Sequence, residues 1–188
     1  AYGDDDNGSY SGSAYIFYNN SGNWEEQTKL TASDGTTNDY FGNSVGIYGD
    51  YILTAAFGDD DMANNSGSAY VFYNNSGTWE EQTKITASDG EASDYFGSSI
   101  SISDNYAIVG ASANDDHGTS SGSAYIFYNN SGNWEEYAKY TASDAAEGDR
   151  FGYSVSISDS YVLVGAYLND DIGNECGSAY IFGPVIYI

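Results

Sequence analysis

The chain has 188 residues, 28 of them acidic and 4 basic, for a net charge of -24. A field of that sign repels nucleic-acid phosphates and anionic lipid, argues against both as partners, and attracts divalent cations or basic surfaces. Apolar residues make up 40% and are unusually aromatic, with 20 Tyr, 8 Phe and 3 Trp, which favours pleated strands, and no apolar run approaches the roughly 20 residues of a membrane-spanning helix.

The chain opens on Ala1-Tyr2-Gly3-Asp4-Asp5-Asp6, which aligns with Ala56 to Asp61 in the middle of a later unit. It is therefore expected to be a processed or truncated part of something longer, and the missing targeting sequence carries no weight. Next comes Ser11 to Glu26, SGSAYIFYNNSGNWEE. It returns letter for letter at Ser121 to Glu136, and at Ser66 to Glu81 with only Val71 and Thr78 changed. Its first half returns again as Gly177 to Phe182. Each return is offset by 55 residues, so the chain is a tandem array.

Each unit holds four strand-like runs, which in the second unit are 41–47, 51–56, 67–73 and 79–85. Run two is apolar throughout in its later copies, Ala107 to Ala111 and Val162 to Ala166. It is therefore expected to be buried on both faces. Run four alternates, with Trp79 and Ile85 on one parity and Glu80, Gln82 and Lys84 on the other. That predicts an outer strand with one wet face. Gly49-Asp50, Asp104-Asn105 and Asp159-Ser160 make tight turns between runs one and two. Asn74-Asn75-Ser76-Gly77 joins runs three and four.

The predicted fold is therefore all-β, an array of four-stranded antiparallel blades of the β-propeller type. The boundaries are a half blade over 1–40, blades over 41–95 and 96–150, and an incomplete blade with a divergent tail over 151–188. The tail, 183–188, is a substitute fourth strand, a strand donated to a neighbour, or the start of another domain. About three and a half blades cannot close a ring of the usual four to eight. Further blades, several associating chains or an open stack are the alternatives. Identical blades predict like surroundings for Trp24, Trp79 and Trp134.

Phe-Gly at 41–42, 96–97 and 151–152, followed by Val-Gly-Ala at 109–111 and 164–166, resembles the FG-GAP repeat of integrin α-subunit propellers. With its Gly-Asp-Asp-Asp and Gly-Ser-Ala-Tyr stretches the chain is still more similar to bacterial and algal FG-GAP repeat proteins, which implies blades and an extracellular or cell-surface setting. The integrin-type calcium loop between the Phe-Gly and Gly-Ala strands is only Tyr48-Gly49-Asp50 or its equivalents here. Such a turn cannot supply the roughly six to eight oxygens calcium prefers, so that site does not carry over.

Strand alternation sends two acidic loop sets to one rim. One holds Asp4, Asp5, Asp6, Asp59, Asp60, Asp61, Asp115, Asp116, Asp170 and Asp171, the candidate calcium ligands. The other holds Asp34, Asp39, Asp89, Asp94, Asp144 and Asp149. The competing reading is that Asp merely caps turns. Asn19, Asn74 and Asn129, with Asn7 and Asn64, begin N-glycosylation sequons, and glycans are expected there if the chain is secreted.

His117 and Cys176 are single and unrepeated, so no catalytic pair is predicted and the chain is not expected to be an enzyme. Near-identical units suit an extracellular structural or adhesive array that self-associates with other copies or further blades. The alternative is a binding module that takes a protein or carbohydrate on its acidic loop face.

Overall fold

The computed structural model describes residues 1–158, 160–171, 173 and 176–183. Those residues contain no helix, and so none long and apolar enough to cross a membrane. The first sheet is the pair β1 (Ala14–Asn20) and β2 (Asn23–Leu30). The second runs β3 (Val45–Tyr48), β4 (Tyr51–Ala56), β5 (Ser68–Asn75) and β6 (Thr78–Ile85). The third repeats it as β7 (Phe96–Ser103), β8 (Tyr106–Ala111), β9 (Ser123–Asn130) and β10 (Asn133–Tyr140). The last has β11 (Phe151–Ser158), β12 (Tyr161–Ala166) and β13 (Ser178–Phe182). All pairings are antiparallel and follow chain order, as in the predicted blades. The Asp159 turn residue and the tail from Pro184 to Ile188 lie outside the described residues.

Each pair of neighbouring sheets shares one core. Ala14, Ile16 and Leu30 of the first sheet pack on Phe41, Ile52, Tyr70 and Phe72. Leu53, Val71 and Ile85 meet Phe96, Ile100, Ile102 and Phe127. Ile108 and Ile126 meet Phe151, Ile157 and Val164. A middle sheet is thus covered twice, and β8 is buried at every residue. Its unbroken apolar run is the consequence.

The alternation predicted for run four is broken. β5 and β6 shift register at Val71/Phe72, leaving Gln82 as an extra residue. Trp79 consequently packs toward the preceding sheet, whereas Ile85 points into the core with the following one. The same bulge recurs at Gln27 and Tyr137. It gives the outer strand two apolar contacts, one on each neighbour.

The tryptophans also differ. Trp24 is 69% exposed and Trp134 only 7%. Trp134 lies edge-on to Tyr51 of the preceding sheet, ring centroids 5.7 Å apart. Trp79 has only β2 behind it and donates its indole N–H to Gln27 Oε1 at 3.4 Å. Trp24 has no preceding sheet among the described residues. The difference is one of position in the stack.

The sheets are held at their spacing by a backbone seam. Phe41, Phe96 and Phe151 donate their N–H groups to the carbonyls of Ser11, Ser66 and Ser121 at 3.0, 2.9 and 2.9 Å. The glycine after each serine lies flat on the next phenylalanine. A Cβ on Gly67, whose φ is +84°, would sit 2.0 Å from the Phe96 carbonyl oxygen. The phenylalanine ring then turns under its own sheet, edge-on to Tyr125 and Phe127 at 5.5 and 5.9 Å for Phe96. Gly-Ser-Ala-Tyr and Phe-Gly are thus the two halves of one contact.

Gly67→Ala adds both a clash and a left-handed alanine, and a loss of about 2–4 kcal/mol is expected. Gly77→Ala, at φ +96° with nothing within 4 Å, should cost about 1 kcal/mol. Urea denaturation of both variants measures the pair, and equal losses would mean the seam is not the close contact described.

Candidate functional site

The two acidic loop sets meet on one rim, and at its centre each of three units places a lysine. Lys84 Nζ contacts Asp59 at 2.7 Å and Asp34 at 3.0 Å, and also pairs with Asp61. Tyr70, directly across the ladder from Lys84, offers its ring face at 5.1 Å. Its hydroxyl donates to Asp34 at 2.8 Å and Asp59 at 2.9 Å. The next unit repeats this with Lys139, Tyr125, Asp89 and Asp116. In the first unit Lys29 pairs with Asp4 and Asp6 beside Tyr15.

Two charges of opposite sign at such distances favour each other's ionised forms. Burial pushes Asp34 and Asp89 upward, but the lysine ammonium and the tyrosine hydroxyl outweigh it and leave both below the usual carboxylate range. Burial pulls Lys84 and Lys139 down, and their carboxylates outweigh it and raise both. Tyr70 and Tyr125 are pushed far up, first by burial and then by the facing carboxylates.

Of the ten carboxylates singled out for calcium, Asp4, Asp6, Asp59, Asp61 and Asp116 are therefore engaged by lysines of the chain itself. Asp5, Asp60 and Asp115 cap their loops by accepting the N–H groups of Tyr10, Asn65 and Ser120 at 2.8, 2.7 and 2.7 Å. Asp170 and Asp171 lie in the fourth unit. No three such groups among the described residues converge as a metal site would require. At Asp4, Asp6, Asp59, Asp61 and Asp116 a divalent ion would have to displace a lysine ammonium from its carboxylates.

Asp39, Asp94 and Asp149 are buried and cap the loop that leads into each Phe-Gly. They accept from the backbone N–H of Thr36, Glu91 and Ala146 at 2.6, 3.0 and 2.9 Å. Burial raises Asp39 above the ordinary range despite the bonds from Thr36.

The sequon asparagines close their own hairpin turns. Asn19, Asn74 and Asn129 accept the N–H of Gly22, Gly77 and Gly132 at 2.7, 2.7 and 2.6 Å. Asn129 is buried beside Trp134, opposite which it pairs, whereas Asn19 is exposed and Asn74 half-buried, so the three sequons are not equivalent in exposure. Asn7 and Asn64 are exposed loop residues. The His117 ring lies 3.4 Å from the Thr141 hydroxyl and its backbone N–H donates to Ser121 Oγ at 3.2 Å, and Cys176 is exposed.

Comparison with protein-family models matches the FG-GAP repeat at residues 24–72, 79–127 and 134–182. The chain belongs to the FG-GAP repeat family. No curated protein matches it. Each FG-GAP match runs from the tryptophan of one sheet to the strand-three phenylalanine of the next, so the family unit straddles a seam. Asp34, Asp59, Asp61 and Tyr70 fall in one unit, while Lys84 falls in the next. The lysines therefore tie each FG-GAP unit to its successor. The sequence displayed the repeated lysine and aspartate, but their partnership spans 50 residues from Asp34 to Lys84 and could be found only by noticing that both recur together.

Asp34 and Asp89 titrate lower folded than unfolded, so the stability they contribute is present above a pH of about 4 and lost as pH falls through their lowered values. Lys84 and Lys139 titrate higher folded, so theirs is present below about pH 10.4 and lost as pH rises through the raised values. Asp39 acts in the opposite sense at the acid end. A melting temperature that is flat between about pH 5 and 9 and falls on either side is expected by scanning calorimetry. Lys84→Met should cost about 2 kcal/mol, between the exposed and buried ion-pair limits, and should reduce the alkaline fall.

Proposed function

We propose that this FG-GAP chain is a segment of an extracellular structural or adhesive array, built from near-identical blades and without catalytic activity of its own. The observation that carries the reading is that apolar positions buried between neighbouring sheets inside the stack lie exposed on β3 and β13 among the described residues. At one end Val45 and Ile47 are 60% and 63% exposed, while their equivalents Ile100 and Ile102 are buried against the preceding sheet. At the other end Ile181 is 74% exposed, while its equivalents Val71 and Ile126 are buried against the following one. Contiguous apolar faces of this kind mark interaction surfaces. Head-to-tail contacts between unlike faces build either closed rings or open filaments. The family's typical setting supports the extracellular placement, and Asn7, Asn19 and Asn64 are the exposed sequon asparagines open to glycans.

Size-exclusion chromatography with light scattering tests the association. The purified chain is expected to form multimers. Leu163→Glu with Ile181→Glu at one end, or Phe17→Glu with Ile47→Glu at the other, should each give monomers. Mixing the two variants should restore one-to-one dimers through the remaining intact pair of faces. A native chain that stays monomeric at high concentration would refute the reading.

One observation favours a binding module instead. Tyr2, Tyr40, Phe57 and Tyr95 form a continuous run of ring contacts along the acidic rim, with Tyr40 and Phe57 stacked at 5.0 Å. Tyr40 and Tyr95 hold φ of +58° and +56°, a strained backbone for tyrosine. A protein or carbohydrate ligand on that stripe would be lost on Tyr40→Ala with the fold intact, which a glycan array with both proteins would reveal.

A further inference from the structure

Three positions change from unit to unit although the letters beside them repeat. The residue before each Phe-Gly is Tyr40, Tyr95 or Arg150, and the residue after it is Asn43, Ser98 or Tyr153. The residue that follows β4, β8 or β12 is Phe57, Ser112 or Tyr167. Between the second and third sheets these positions enclose a cleft of about 200 Å³, lined by Asn43, Phe57, Tyr95, Ser98 and Ser112. At the following seam Tyr153 and Tyr167 stand in the places of the two serines, with ring centroids 4.2 Å apart. Bulk there takes the space that the serines leave open.

Two polar atoms at the cleft lack partners. Ser112 is only 6% exposed. Its backbone N–H donates to Ser98 Oγ at 3.3 Å, and Ser98 Oγ donates in turn to the Gly110 carbonyl at 3.1 Å. Ser98 is thereby satisfied, whereas the Ser112 hydroxyl has no hydrogen bond among the described residues. Asn43 donates from its amide nitrogen to the Gly97 carbonyl at 3.1 Å, and its Oδ1 is buried with no donor. Buried polar atoms normally find partners, so each exception calls for one. The rest of the lining is aromatic. Phe57 and Tyr95 meet edge-on at 5.7 Å, and Tyr40 stacks on Phe57 at 5.0 Å. All three rings are half-buried, and none of the five lining residues is charged.

We propose that this cleft binds one uncharged hexopyranose unit of a glycan. The inference rests on the binding-module reading of the aromatic stripe, and gives its ligand a class and a place. A pyranose has apolar C–H faces that pack on aromatic rings, and hydroxyls that both donate and accept. Its ring lies against Phe57 and Tyr95. One hydroxyl accepts from Ser112 Oγ and donates to Asn43 Oδ1 as that side chain turns toward the cleft. The volume is below the roughly 300–1,000 Å³ of pockets for drug-sized ligands, so it takes a single ring. The rest of the glycan leaves along Tyr40 and Tyr2. The net charge of -24 repels uronates and sulfated sugars.

Saturation-transfer-difference NMR of the full chain with methyl glucoside, methyl galactoside, methyl mannoside and methyl glucuronide tests the site. At least one neutral hexoside is expected to bind with a Kd of about 1 mM, the order open to a ligand of about 13 non-hydrogen atoms. Transfer should be strongest at its ring C–H protons, and the glucuronide should bind at least about tenfold more weakly. Ser112→Ala should weaken binding about fivefold, the order of one hydrogen bond, at an unchanged melting temperature, since that hydroxyl holds nothing in the fold. Phe57→Ala should abolish binding and Phe57→Tyr should keep it. No transfer to any neutral hexoside at about ten times the expected Kd, or binding indifferent to Ser112→Ala and Phe57→Ala, overturns the proposal. A hexoside or protein ligand lost on Tyr40→Ala but untouched by Ser112→Ala lies on the stripe outside the cleft. That outcome overturns the proposal and leaves the binding-module reading standing.

Discussion

The structure depends on two backbones touching. Before β1, β5 and β9 a glycine, Gly12, Gly67 or Gly122, lies against the carbonyl of the phenylalanine that leads into the next sheet, and no side chain could come between them. That contact fixes how far apart consecutive sheets stand. At that spacing Leu53 and Val71 reach Ile100 and Ile102 across one core, and the same pattern follows in the next. Burial of these side chains, about 1.5–3 kcal/mol each, provides the bulk of the stabilisation, but the seam decides which atoms meet. It also brings the loop holding Asp34 within reach of Lys84, which stands one FG-GAP unit further on. Fold and rim chemistry thus descend from one steric requirement that glycine alone meets.

What was legible in the sequence was what is local or strictly periodic. The 55-residue return gave the units, and the apolar run of Ala107 to Ala111 correctly predicted a strand covered on both faces. The convergence of the two acidic loop sets followed from strand alternation. Other features were hidden for identifiable reasons. The bulge at Gln82 is one residue of irregularity inside an otherwise clean alternation, and it sends Trp79 and Ile85 to opposite sheets. The burial of Asn129, unlike the exposure of Asn19, depends on how many sheets precede it, which identical letters cannot express. The lysine clusters assemble residues 11 to 50 positions apart, so their role surfaces only when the seam is in place.

An acidic surface of this size would ordinarily invite a metal reading. The three lysines answer it differently. Each supplies a positive charge where carboxylates are most crowded and least hydrated, and holds it through covalent attachment to the neighbouring unit. Asp59, a buried carboxylate, needs such a partner, since an unpaired buried charge is costly. Asp60 and Asp115, at the exposed tips, need none and spend their oxygens on loop N–H groups.

The substitution pattern along the array follows the same logic. The buried position filled by Asp59 becomes Asn114 in the next unit and Asn169 in the one after. Asparagine keeps the bond from the strand-three serine, 2.8 Å from Ser123 and 2.7 Å from Ser178, but carries no charge. The unit around Lys84 therefore cannot lose its ammonium without stranding a carboxylate, whereas the units with asparagine can.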